Sequence, residues 1–171
     1  MKRWNHRLKL PTEAGSILDL ESGERPLAWA PGRDGQWYVG TDLALHLVGK
    51  DGSRRIGWEN IERGEWHGDE AVLEVVELAG WGQPEKVMRV ELSEAGLLLQ
   101  LIRERVTKSV VVTAYAAVRG RRGLTVVGRR SPVGDGPVTW SYVLAEGLDP
   151  DDELVRGVAD RALREAKAEL P

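Results

Sequence analysis

The sequence has no cysteine and no phenylalanine, two methionines and three histidines in 171 residues. Without cysteine there is no disulfide framework, no thiolate-bound zinc or iron–sulfur centre and no cysteine nucleophile. Long apolar runs are missing as well. None approaches the roughly 18 residues of a membrane span, and the opening Met-Lys-Arg-Trp-Asn-His leads into no apolar stretch of a secretory leader. The chain is therefore expected to be soluble and cytoplasmic, with no transmembrane segment. It also lacks a dominant charge: against 27 Asp and Glu, 24 Lys and Arg leave a formal charge of −3. No overall field draws nucleic acid, and contact with a membrane surface is expected to be weak at most. What is present is a globular composition, 42% hydrophobic and 30% charged. A chain of this length buries about 70% of its unfolded surface, enough for one compact domain or one domain with an extension.

Residues 1–20 carry Lys2, Arg3, Arg7 and Lys9 and show no strict period until the strand signals begin; they read as a weakly structured N-terminal arm. From Leu27 the period becomes two, through Leu27 and Trp29, Trp37 and Val39, then Leu43, Leu45 and Leu47, as in half-buried strands. Asp51-Gly52 suits a tight hairpin turn, and turns this short imply an antiparallel meander. With Ile56 and Trp58, the stretch 62–66, Leu73 with Val75, and Met88 with Val90, about seven strands are expected between residues 27 and 92. Ser93 is then a candidate N-cap for a helix of about 16 to 18 residues, with Leu98, Ile102 and Val106 on one face. The β-branched run Val110-Val111-Val112 favours a new strand. Two more strands follow, the first joined by the hairpin signal Arg119-Gly120-Arg121-Arg122-Gly123. Asp149 and Pro150 then read as cap and first residue of a terminal helix with Val155, Val158 and Ala162 on its buried side. The fold class expected is α+β, mostly β, in three parts: arm 1–20, a first domain 21–112, and an extension 113–171 of three strands and a helix packed on it.

Three phrases carry a resemblance. Gly23-Glu24-Arg25-Pro26-Leu27-Ala28-Trp29, then Trp37-Tyr38-Val39-Gly40-Thr41-Asp42-Leu43-Ala44-Leu45, then Ile56-Gly57-Trp58-Glu59-Asn60-Ile61 resemble the pattern of bacterial pleckstrin-homology-like (PH-like) and GRAM-like proteins. The likeness spans residues 20–112. The preference for arginine over lysine, 18 to 6, suits the GC-rich genomes of high-GC Gram-positive bacteria in which such proteins are found. The resemblance implies a PH-like barrel of about seven antiparallel strands plus a capping helix, and no catalytic residues. The loop 31–36 holds Arg33 beside Asp34 and no further cation, so the resemblance brings no inositol-lipid site by that route.

Motif tests for chemistry are negative. Aligning Gly49-Lys50 with a phosphate loop puts Ala44 where its first glycine belongs and Asp51 where a magnesium-binding hydroxyl belongs. Asp149, Asp151 and Glu153 do not make a calcium loop, because Leu154 occupies the glycine position. No Gly-x-Ser-x-Gly elbow occurs. His46 alternates with Leu45 and Leu47 and is expected on the solvent face. His67, Asp69 and Glu70 read better as turn chemistry than as metal ligands, and no cofactor is expected. Trp29, Trp37, Trp58 and Trp140 fall on inward positions, which leaves Trp4, Trp66 and Trp81 as contact aromatics. The charge that stands out is Arg119, Arg121 and Arg122, a candidate contact for an anion or a partner. Arg129 and Arg130 lie about 20 Å further along the strand. The leading expectation is a non-catalytic PH-like module acting through contacts with a protein partner. The alternatives are an anion or membrane-surface binder using the arginine tip, and an enzyme of unknown chemistry.

Overall fold

The computed structural model describes residues 8–170. Lys2, Arg3, Trp4, His6 and Arg7 therefore lie outside the described residues. The rest of the arm is more ordered than its sequence suggests. Thr12–Ile17 forms a short helix, α1, which packs on the third strand and buries Ala14 completely.

Among the described residues ten strands form three antiparallel sheets. β1 (Pro26–Pro31), β2 (Trp37–Thr41), β3 (Ala44–Gly49) and β4 (Gly52–Gly57) make a four-stranded meander. Gly49 pairs with Gly52, so Lys50 and Asp51 form the hairpin loop, one residue earlier than expected. A 3-10 turn at Trp58–Asn60 leads into β5 (Ile61–His67), β6 (Val72–Glu77) and β7 (Lys86–Glu91), a second meander. The seven strands expected in one barrel are thus divided between two sheets. Among the described residues a single bridge, Gly32 to Leu92, links them, and no closed barrel forms.

Helix α2 (Gly96–Ser109) is shorter than expected because Ser93 does not cap it. The Ser93 amide donates instead to the Pro31 carbonyl at 3.0 Å, holding the end of β7 against β1. The Leu98, Ile102, Val106 face of α2 is buried in the first core with Leu45, Trp58, Ile61, Leu73 and Val75. Two glycines allow the close approach. A Cβ at Gly40 on β2 would lie 2.5 Å from Leu101 Cδ2, and one at Gly64 on β5 would lie 2.6 Å from Ile102 Cγ2. The helix therefore rests on both sheets at positions where any side chain would lift it.

β8 (Val110–Arg119) begins where the β-branched run starts and pairs with β9 (Arg122–Arg129), which pairs with β10 (Thr139–Leu144). Helix α3 (Glu153–Ala168) lies on β8 and β9, and Val155, Val158, Ala159, Ala162 and Ala166 close a second core with Leu124 and Val126. Its cap is Asp152, whose Oδ1 accepts from the Leu154 amide at 2.8 Å. Asp149, the expected cap, instead accepts from the Asp151 amide at 2.9 Å and shapes the turn before the helix. Among the described residues no helix is long and apolar enough to cross a membrane.

Arg129, at the end of β9, is buried and joins the two cores. Its Nη1 donates to the Val106 carbonyl (3.3 Å) and Ser109 Oγ (3.2 Å) at the end of α2, and its Nη2 donates to the Glu62 carbonyl on β5 (2.9 Å). Burial pulls this guanidinium below its ordinary pKa, and the charge of Glu62 opposes that shift.

Candidate functional site

The arginine tip forms as the sequence suggests, with its charge partly answered. Arg119 pairs with Arg122 across the hairpin, and Gly120 supplies the positive φ, +58°, that the turn requires. Arg119, Arg121 and Arg122 are all exposed. However, Arg119 Nη2 donates to Asp152 Oδ2 at 2.7 Å, and the Arg122 guanidinium lies against Gly147, where a Cβ would come within 2.9 Å of Nη1. The acidic turn before α3 thus folds beside the tip and offsets one of its three cations. At the far end of β9, Arg129 is buried and Arg130 faces Asp135 at 3.9 Å, so neither adds to the tip.

His46 is not on a solvent face. It is fully buried, and Nε2 donates to Glu24 Oε1 at 2.8 Å. The alternation is correct, since Leu45 points into the first core. The opposite side of β3 is covered by α1 and the segment that carries Glu24, which the strand pattern does not reveal. Thr41 Oγ1 also donates to Glu24 Oε1, while the Glu21 amide (3.0 Å) and Arg55 Nε (3.4 Å) donate to Oε2. Next to this, the Arg25 amide donates to Asp42 Oδ1 at 2.8 Å. Two of the phrases quoted above, Gly23-Glu24-Arg25 and Gly40-Thr41-Asp42, are therefore the two halves of one buried polar contact. Burial pushes the Glu24 carboxyl up, but the hydrogen bonds from His46, Thr41 and the Glu21 amide, with the charge of His46, leave it below its ordinary pKa. An acid and an imidazole sealed from solvent have no route to a substrate; they hold the segment before β1 onto the sheet.

His67, Asp69 and Glu70 do not converge. Strand pairing gathers Glu65, His67 and Glu74 instead, with ligand atoms within 4.8 Å of one another. Glu74 is distant in sequence and joins the group only through the β5–β6 register, while Glu65, two residues before His67 on one strand, was a legible signal.

The tryptophans divide differently from expectation. Trp58 is fully buried, but Trp29 and Trp37 are half-buried and meet edge to face at 5.4 Å. Trp140 is half-buried against the second core, with Lys167 Nζ 5.8 Å above its ring. Trp66 packs on the first core. Trp81 is pinned by its Nε1, which donates to the Pro150 carbonyl at 3.0 Å, and by Tyr142 at 5.0 Å edge to face. These two rings, with Glu62, Leu148 and Pro150, line a cavity of about 330 Å³ between β6–β7 and β10.

β8 is a long, partly exposed strand. It is the edge of its sheet, and no other strand pairs with its second side among the described residues. Its even-numbered residues face α3, and its odd-numbered residues, Val111, Thr113, Tyr115, Ala117 and Arg119, are exposed. Tyr115 is 63% exposed and lies across Gly123 of β9, its hydroxyl donating to the Arg121 carbonyl at 3.4 Å. In comparisons with known proteins the chain matches no family model, no curated protein and no solved structure.

Proposed function

We propose that the chain is a non-catalytic, PH-like interaction module that holds an extended, acidic segment of a protein partner along the free edge of β8. The observation that carries this reading is the edge itself: ten residues without an acid and with one unpaired side. An unpaired edge presents backbone donors and acceptors to a further strand. Val111 and Tyr115 offer apolar contact beside it. Lys108 at one end and Arg121 at the other favour acidic flanks on the partner. The PH-like part is supported by the order of elements, a four-stranded meander, a three-stranded meander and then an amphipathic helix resting on both.

Anion binding by the arginine tip is the second reading. Asp152 weakens it, and at physiological salt exposed charges are screened over about 8 Å.

Titration of ¹⁵N-labelled protein with extended acidic peptides tests the leading reading. Amide shifts should concentrate in residues 110–119, and Thr113→Lys should remove them while changing stability by less than about 0.5 kcal/mol, because Thr113 is exposed. Retention on anionic liposomes at about 0.15 M salt that disappears when Arg119, Arg121 and Arg122 become Ser would promote the anion reading. A dimer abolished by Thr113→Lys would make the partner a second copy. Saturable turnover removed by one substitution would make the protein an enzyme.

A further inference from the structure

We propose that Glu65, His67 and Glu74 form a site for a first-row divalent transition-metal ion such as zinc. The site lies on a different sheet from β8 and does not depend on the interaction reading. Its geometry comes from the pleat. Glu65 and His67 are two residues apart on β5 and share a face, and Glu74 is directly opposite Glu65 on β6. Like charges directly opposite in an antiparallel pair repel, so this placement costs stability unless something positive lies between them.

The nearby arginines answer only part of that charge. Arg63 is shared by Glu62, Glu65 and Glu85, and Arg89 by Glu70 and Glu74, so five carboxylates share two guanidinium groups. Arg63 gives two nitrogens to Glu85, at 3.2 and 3.1 Å, and reaches Glu65 only at 3.4 Å. His67 Nε2 is shielded from solvent and has no hydrogen-bond partner among the described residues, although it lies 3.7 Å from Glu74 Oε2. An imidazole nitrogen left without a hydrogen bond beside two carboxylates is a donor set for a metal ion.

The distances suit a small cation. Tetrahedral zinc with bonds of about 2.1 Å separates its ligand atoms by about 3.4 Å. The His67 to Glu74 distance is within a few tenths of an ångström of that value. Glu65, with half its side chain exposed, is free to swing inward. Arg89 Nη1, 2.6 Å from Glu74 Oε2, would then orient the ligating carboxylate from the outer shell. The imidazole favours zinc, nickel or cobalt over magnesium or calcium, which prefer oxygen alone. A fourth position on this exposed face is left for water.

Titration calorimetry of the whole chain with zinc chloride should give one saturable equivalent, and magnesium chloride should give none. His67→Gln and Glu65→Gln should each abolish saturable zinc binding and the zinc-dependent rise in Tm, with metal-free melts matching wild type. Cobalt(II) should give a visible absorption band that His67→Gln removes. Zinc binding that survives undiminished in His67→Gln, or no binding by the wild-type chain, overturns the proposal. Because Glu65 and His67 are partly exposed at the end of β5, both variants are expected to fold, and the metal-free melts verify it.

Discussion

Ile102→Asp should leave little folded protein. Ile102 is 1% exposed at the centre of the first core, and its Cγ2 sits over Gly64 with no room for a β-carbon between them. Burial of an isoleucine side chain contributes about 2 kcal/mol, and the variant loses that contribution while placing an unpaired carboxylate among Leu98, Leu101 and Val106. The expected cost is about 5 kcal/mol, comparable to the whole stability of a marginal domain. Urea denaturation followed by far-UV circular dichroism checks it. A midpoint equal to that of wild type would show that α2 does not depend on this contact. Gly64→Ala tests the same contact from the strand side and should destabilise in the same direction, because the added methyl meets Ile102 before anything else.

The second large effect is expected at Glu24. Glu24→Ala removes the acceptor for His46, Thr41, Arg55 and the Glu21 amide at once, inside a region closed to water. Breaking a buried, hydrogen-bonded pair from one side costs about 3 kcal/mol or more. The same residue gives the protein an acid limit. Its folded pKa lies below the unfolded value of about 4.3. Its contribution is therefore complete above that unfolded value and is lost as pH falls through the folded one. Denaturant midpoints measured between pH 3 and 7 should fall for wild type below about pH 4.3. Glu24→Gln should start lower at neutral pH and fall less steeply across that acid range. Parallel curves for the two proteins would assign the acid sensitivity to other carboxylates.

Most of the secondary structure was legible because local rules govern it. Alternation of two, short turns and the β-branched run at Val110 locate the ten strands, and the spacing of Leu98, Ile102 and Val106 marks the buried face of α2. The errors arise where a distant segment decides the outcome. His46 sits on the outward side of its strand as alternation requires, yet Glu24 and α1 cover that side. Ser93 has the chemistry of a cap, but it is held beside β1 by the hydrogen bond from its amide to the Pro31 carbonyl, and α2 starts later, at Gly96. Asp149 and Asp152 have equal capping chemistry, and Asp149 is taken up by the turn before the helix, where it accepts from the Asp151 amide, so that Asp152 caps. The sequence places Arg129 along the strand, away from the arginine tip, but not against the end of α2 and the Glu62 carbonyl, which only the packing brings to it. The grouping of Glu65 with Glu74 depends on register between strands, which one sequence does not state.

The Arg129 guanidinium has a consequence for how the protein breathes. It is carried by a strand of the second core, and the carbonyls it holds belong to the first, one at the end of α2 and one on β5. If α2 frays from its C-terminal end, or β9 lifts from the second core, a buried cation loses the oxygens that solvate it. The cost of either opening therefore includes part of the other core's stability. The two halves should behave as one exchange unit. Native-state amide hydrogen exchange should give the last turn of α2 and the central amides of β9 a common opening free energy, and Arg129→Met should let the two values separate.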